Sequence, residues 1–249
     1  MIVTVKDKFK RHIRLIRRRF KRLTAKLGGH GYNRHGYNEP AAKTIALLGL
    51  AEGLGTSHTS QLLANYYANY YGYSVALVGP GGITGYKGMK DLTHNEKLKK
   101  KVSGLTDKGY SFNAVDIYFG VNCRAVDALR KVYDIVIVDY SDYLTGRSDW
   151  NAEFNTCLQE ACGLDRLILV GSLALHRFTE CRFRMDSLKD CLDNMEYRVV
   201  SLSYNESLLQ DFSRRYGIKV TKLPYEPDPY VIHGSNVKVI EELCFNQLP

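Results

Sequence analysis

The sequence predicts an α/β protein with a doubly wound, mostly parallel sheet, preceded by an N-terminal basic amphipathic helix. Three observations predict it. Apolar segments alternate with helical ones from Lys43 onward. These segments are continuous apolar runs, which is typical of strands buried on both faces. The net charge of +9 on 249 residues comes from one end of the chain. The length suits one substantial folded domain.

Residues 1–27 form the predicted basic helix. They hold eleven Lys and Arg and one acid, whereas the other 222 residues hold 24 basic and 25 acidic side chains. Apolar side chains recur at spacings of three and four, which places them on one helix face: Val5, Phe9, Ile13, Ile16, Phe20, Leu23 and Leu27. Gly28 and Gly29 end the helix, and residues 28–42, with a repeated His-Gly-Tyr-Asn, are predicted to be a flexible linker.

Such a helix has three candidate targets. An anionic membrane surface accepts both the apolar stripe and the charge, so we expect it first. An acidic protein partner, or a second copy in a homodimer, comes next because an exposed stripe favours apolar cover. Nucleic acid comes third, since contact with phosphates needs no apolar stripe.

The folded domain covers residues 43–249. The run "TIALLGL" (44–50) predicts a fully buried strand, and residues 59–73 predict a helix that ends near Gly72. Further strands are predicted at 74–78, 111–120, 133–142, 165–172, 197–204 and 218–225, with a helix at 123–132 and a polar loop with a short helix over 82–109. Strand–helix alternation favours parallel pairing, which places ligands at the carboxyl ends of the strands.

Composition also limits where the protein works. No apolar run reaches about 18 residues, and the charged N-terminus does not resemble a secretory signal. Six cysteines lack the short spacings of a zinc site and are expected to be reduced, packed thiols. We therefore expect a cytoplasmic protein, attached peripherally at the inner face of the membrane.

The segment "LLGLAEGLGTSH" (47–58) joins the first strand to the first helix. Backbone N–H groups of a glycine-rich loop, together with a helix N-terminus, can hold an anion. The candidate binding residues are Gly53, Gly55, Thr56, Ser57 and His58.

The order of these motifs resembles the MinD/ParA-type P-loop ATPases over about Lys43 to Glu242. "YDIVIVDYSD" (133–142) is similar to their Walker B strand, and "LPYEPD" (223–228) to the region near their adenine pocket. Within the family the chain looks nearest to TadZ/CpaE-like localisation factors, which accompany pilus and secretion machinery. The resemblance implies a P-loop NTPase-like fold, ATP with Mg²⁺ as cofactor, and Ser57 and Asp139 as the metal-binding positions. For Asp139, capping of the next turn is an equally good interpretation.

The chain departs from the family's loop, Lys-Gly-Gly-x-Gly-Lys-Thr-Thr. Ala51 and Thr56 stand in place of the two lysines, Glu52 in place of a glycine and His58 in place of a threonine. After the second strand, Gly79 and Gly81 stand where the family has two aspartates. Phosphoryl transfer depends on such cationic and water-orienting groups. The resemblance therefore implies a pocket without catalytic residues.

Three functions follow, in order of preference. The first is a pseudo-ATPase that serves as a membrane-associated scaffold or positioning factor. The second is an ATP-binding, dimerising switch with weak or unusual hydrolysis. The third is a nucleic-acid-binding, partition-like protein.

Overall fold

The computed structural model describes residues 43–79, 93–94, 109–119, 123–141, 165–192, 196–229 and 231–244. The predicted helix 1–27, the linker 28–42, Gly81 and most of the polar stretch 82–109 lie outside these residues. Among the helices that are described, none is both long and apolar enough to cross a bilayer.

One nine-stranded sheet organises the described chain. Its strands are β1 (Lys43–Gly49), β2 (Val75–Gly79), β3 (Thr93–His94), β4 (Gly109–Phe112), β5 (Val115–Phe119), β6 (Ile135–Asp139), β7 (Arg166–Leu173), β8 (Tyr197–Tyr204) and β9 (Val220–Lys222). Their spatial order is β3-β4-β5-β2-β6-β1-β7-β8-β9. In this spatial order, every neighbouring pair from β5 through β2, β6, β1, β7 and β8 to β9 is parallel, and the pairs β3–β4 and β4–β5 are antiparallel. This confirms the predicted doubly wound, mostly parallel fold.

In the part of the chain that the structure describes, five helices accompany the sheet: α1 (Thr56–Asn65, continued by a π-helical turn Tyr66–Tyr70), α2 (Cys123–Arg130), α3 (Leu175–Leu192), α4 (Glu206–Tyr216) and α5 (Val237–Leu243). Helix α1 packs against β1, β2 and β6, helix α3 against β7, and helix α5 against β9.

The residues at the two ends of α4 explain why this helix begins and ends where it does. The Asn205 side chain accepts hydrogen bonds from the first-turn N–H groups, and Gly217 adopts the left-handed conformation that ends the helix.

Strand β1 lies at the centre of the sheet, between β6 and β7. Its apolar residues from Ile45 to Leu48 are buried, as a strand covered on both faces requires. The register pairs Leu47 with Asp139 of β6 and Gly49 with Val170 of β7. The chain continues from β1 to one half of the sheet and later returns to the other half. The loop after β1 therefore lies at the crevice where open α/β sheets bind ligands.

The tyrosine-rich end of α1 packs mainly by ordinary helix–sheet contact. Tyr66 and Tyr67 are buried, whereas Tyr70, Tyr71 and Tyr73 are half-buried against the same core. The Tyr66 hydroxyl donates to Oε1 of Glu241 on α5 at 2.9 Å. Burial, followed by this carboxylate, raises the pKa of Tyr66, so the phenol stays protonated and the bond persists. The helical segment ends near Gly72, as predicted. The hydrogen bond from Tyr66 attaches it to α5.

The single strand predicted at 111–120 is wrong. The chain reverses at Asn113 and Ala114, so the segment forms the hairpin β4–β5, with Phe112 paired to Val115. Both turn residues have positive φ, 46° and 68°. Two-residue hairpin turns of this kind usually place glycine second. Because alanine occupies that position, the sequence lacks the glycine that would have predicted this turn.

Replacing Ala114 by glycine should stabilise the protein. A left-handed backbone strains alanine but not glycine, so Ala114→Gly should raise the free energy of unfolding by about 0.5–1 kcal/mol. The reverse control is Gly217→Ala, where φ is 65° and an added Cβ meets no atom within 4 Å, so strain alone should lower stability. Urea unfolding followed by circular dichroism measures both. A loss of stability in Ala114→Gly would contradict the strained turn.

Candidate functional site

The loop after β1 has the backbone geometry of an anion cradle. Gly53 and Gly55 adopt left-handed conformations with φ of 69° and 77°. Gly55 is the N-cap of α1 and has no side chain with which to cap the helix. Within the described chain, the N-cap therefore offers no side-chain acceptor to the first N–H groups of α1. The Leu50 N–H donates to the Val170 carbonyl at 2.8 Å, which fastens the start of the loop to β7.

Close packing adds to the need for glycine at position 55. A Cβ built on Gly55 would lie 2.8 Å from Cδ1 of Leu202 on β8, closer than van der Waals contact permits. A Cβ on Gly53 would meet no atom within 4 Å. Leu202 therefore lies directly against the second half of the loop.

Thr56 is the first residue of α1 and is only 5% exposed. It stands where the resemblance expects a lysine that reaches the phosphates. A short, neutral and buried side chain cannot supply that charge, so the cradle has no cation of its own at this position.

The two residues predicted to bind magnesium lie on either side of Ser141. The Ser57 hydroxyl is 2.7 Å from the Ser141 hydroxyl, and Oδ1 of Asp139 accepts the Ser141 N–H at 3.0 Å. Asp139 is 0% exposed, and this hydrogen bond caps the turn after β6, which is the alternative that the sequence left open. A magnesium ion usually keeps several waters, for which a fully buried carboxylate leaves no room. The described residues therefore show no preformed magnesium site, and they contain no cluster of three or more His, Cys, Asp or Glu side chains that could hold a metal.

A cavity of about 360 Å³ lies on the opposite side of the loop, at the carboxyl ends of β7, β8 and β9. Glycine, hydroxyl, imidazole, guanidinium and aromatic groups line it: Gly53, Leu54, Gly55, His58, Ser172, His176, Arg177, Leu202, Ser203 and Tyr225. Among the predicted site residues, Gly53, Gly55 and His58 come together here. Ser57 and Asp139 are not among the residues that line this cavity.

His58 forms part of the aromatic wall of the cavity. Its ring stacks on Tyr225, with centroids 5.6 Å apart and an interplanar angle of 15°. Burial lowers the pKa of His58, although the Glu226 carbonyl and the carboxylates of Glu226 and Asp228 oppose this shift. At neutral pH the imidazole is therefore uncharged. Its Nε2 atom is buried and has no hydrogen-bond partner in the part of the chain that the structure describes.

Two arginines of α3 place positive charge near the loop. Arg177 lines the cavity, and its NH1 donates to Glu180 at 3.0 Å. Arg184 is buried and donates to the same carboxylate at 2.8 Å. Desolvation lowers the pKa of Arg184, whereas the charges of Glu180 and Glu52 raise it. Glu52, which stands where the family has a glycine, therefore interacts electrostatically with the Arg184 guanidinium.

Sequence reasoning missed the residues that complete the site. Ser172 and Ser203 lie at the carboxyl ends of β7 and β8, and Ser141 and Tyr225 follow β6 and β9. Parallel sheets bind ligands at this edge, so these positions carried a signal. Arg177 lies in the first turn of α3, and no local pattern shows which side of that helix faces the loop.

Solved structures that are similar in fold include MinD- and ParA-type proteins. They include the MinD cell division protein of Aquifex aeolicus (TM-score 0.58, 12% identity, covering 84% of this chain and 99% of that one). A plasmid partition protein of Borrelia burgdorferi bound to AMPPNP is similar with a TM-score of 0.53 and 12% identity, covering 82% of this chain and 98% of that one. Cyanothece McdA in complex with ATP is similar with a TM-score of 0.55 and 13% identity, covering 84% of this chain and 99% of that one. No protein-family model and no curated protein matches the sequence. The resemblance to MinD/ParA-type ATPases is confirmed at the level of the fold.

The two loop glycines should differ in their tolerance of alanine. Gly53→Ala adds only backbone strain and should lower the free energy of unfolding by about 1 kcal/mol. Gly55→Ala adds the same strain and displaces Leu202, for a loss of about 2 kcal/mol. In a Leu202→Ala background the two substitutions should become equally destabilising. Urea unfolding of the set measures this, and equal losses in the wild-type background would contradict the packing of Leu202 on Gly55.

Proposed function

We propose that this protein is a non-hydrolysing relative of the MinD/ParA-type ATPases that acts as a positioning scaffold at an anionic membrane. The observation that carries the proposal is the state of the three residues on which turnover would depend. Thr56 is buried, the Ser57 hydroxyl contacts Ser141, and the Asp139 carboxylate caps a turn. The cradle keeps its backbone shape while its side chains are engaged elsewhere.

Hydrolysis of a nucleoside triphosphate requires charge where charge develops, and a group that orients the attacking water. Strand β2 ends at Gly79, where the resemblance expects an aspartate, and glycine has no side chain to orient water. Arg177 does approach the loop from α3 and supports anion binding. It does not replace the missing carboxylates, so binding without turnover is the better-supported function.

The basic segment 1–27 supports the membrane target by its composition. A stripe of seven apolar side chains on a segment of net charge +10 suits the interface of an anionic bilayer at the inner face of the cytoplasmic membrane. A role in positioning draws further support from the fold, which the chain shares with a plasmid partition protein and a cell division protein. By resemblance to TadZ/CpaE-like factors, the machine that is positioned would be a pilus or secretion assembly.

A second candidate function is a dimerising switch that binds ATP. The cavity residue Arg177 favours it, because it returns a positive charge to the loop. Calorimetric titration of the full chain with Mg²⁺–ATP, combined with sedimentation velocity, separates the two functions. Micromolar binding coupled to dimer formation would favour the switch over the scaffold.

Purified full-length protein should release no phosphate from Mg²⁺–ATP above background, because its cradle has no lysine and no water-orienting carboxylate. The control is the Ser57→Ala, Asp139→Asn double variant, checked for folding by circular dichroism. Its phosphate release should equal that of the wild type. Stoichiometric turnover that the double variant abolishes would overturn the proposed function.

The full chain should co-sediment with phosphatidylglycerol vesicles, and deletion of residues 1–27 should abolish this. A stripe variant, Ile13→Ser, Ile16→Ser and Phe20→Ser, keeps every charge and should lose at least about tenfold in vesicle affinity, because its apolar burial is gone. A gel shift with duplex DNA serves as the comparison. If the stripe variant binds vesicles normally, or if DNA binds more tightly than vesicles and with a steep salt dependence, the membrane target is wrong.

A further inference from the structure

Arg177 has unused capacity to bind an anion. A guanidinium has five N–H donors, and within the described chain only NH1 of Arg177 is engaged, by Glu180. The same carboxylate accepts a shorter bond from Arg184, so Glu180 stays paired if Arg177 turns toward another anion. The Arg177 side chain is 39% exposed and lines the cavity beside Gly53 and Gly55.

The remaining walls of the cavity suit a phosphate group. The hydroxyl-bearing residues Ser172 and Ser203 lie at the ends of β7 and β8, with their own side chains hydrogen-bonded at 2.7 Å. His58 lines the cavity with its aromatic ring, which forms a wall and adds no charge. Phosphate oxygens accept several hydrogen bonds and are matched by the planar fork of arginine.

The cavity is separate from the residues predicted to bind magnesium. Ser57 and Asp139 interact with Ser141 at the end of β6, whereas the cavity opens toward β7, β8 and β9. A phosphate held in the cavity would therefore be neutralised by Arg177 rather than by a divalent cation.

We propose that this cavity binds a phosphate group without a divalent cation, and that Arg177 supplies the positive charge that the loop lacks. The ligand class is a phosphomonoester or free phosphate. Tyr225, 69% exposed and stacked on His58, offers an aromatic surface to the organic part of a phosphomonoester. The inference rests on the proposed function, since it names the ligand of the same loop in a protein that does not turn over ATP.

The test is calorimetric titration of the full chain in EDTA with two probes, inorganic phosphate and adenosine 5′-monophosphate. At least one probe should bind, and adding Mg²⁺ should change its affinity by less than about twofold. Tighter binding of the nucleotide assigns a role to the Tyr225 surface, whereas equal affinities assign the site to the phosphate alone. Absence of binding by both probes, or binding that requires Mg²⁺, would overturn the inference.

Arg177→Ala should weaken binding of the same probe about tenfold or more, as expected for loss of a charge-assisted contact. The matched control is Arg182→Ala on the same helix, since Arg182 lies over the Phe178 ring and does not line the cavity. It should bind within about twofold of wild type. Thermal unfolding checks that both variants fold, and Arg177→Lys should recover part of the affinity. Equal binding by Arg177→Ala and wild type would sink the inference while leaving the hydrolysis result, and so the proposed function, untouched.

Discussion

The whole site depends on the burial of one strand. Strand β1 is hydrogen-bonded on both edges, to β6 and β7, and its apolar side chains are buried on both faces. A strand held on four sides cannot shift its register without exposing its core residues. This fixes the point at which the chain leaves the sheet, and with it the place of the glycine loop between the ends of β6 and β7.

The loop divides its surroundings into two chemically different halves. On the β6 side, the Ser57 and Ser141 hydroxyls are hydrogen-bonded to each other, and the Asp139 carboxylate accepts the Ser141 N–H. On the β7–β9 side, Arg177, His58 and Tyr225 border an open cavity. In a phosphate-transferring site these halves would act together on one ligand. In this protein the side chains of the first half contact one another, and the cavity lies at the second half.

Much of this arrangement was predictable from the sequence. Apolar runs located the strands, and the resemblance to MinD/ParA-type ATPases placed Ser57 and Asp139 at one site. The hairpin at Asn113 and Ala114 was missed because its second residue hides a left-handed turn. Arg177 was missed for another reason: the side of α3 that faces the loop is set by the burial of Phe178, Cys181 and Met185, which are tertiary contacts. Periodicity locates a helix but does not orient it against a distant loop.

The edge strand β9 has a consequence for self-association. It offers only three residues, pairs with β8 alone in the described sheet, and carries the exposed Lys222. That ammonium donates to Glu206 and lies 4.8 Å from the Tyr204 ring centroid. A foreign strand adding here would gain few backbone bonds and would have to strip water from a charge. This edge is therefore protected against fibrous aggregation, even where many copies crowd together.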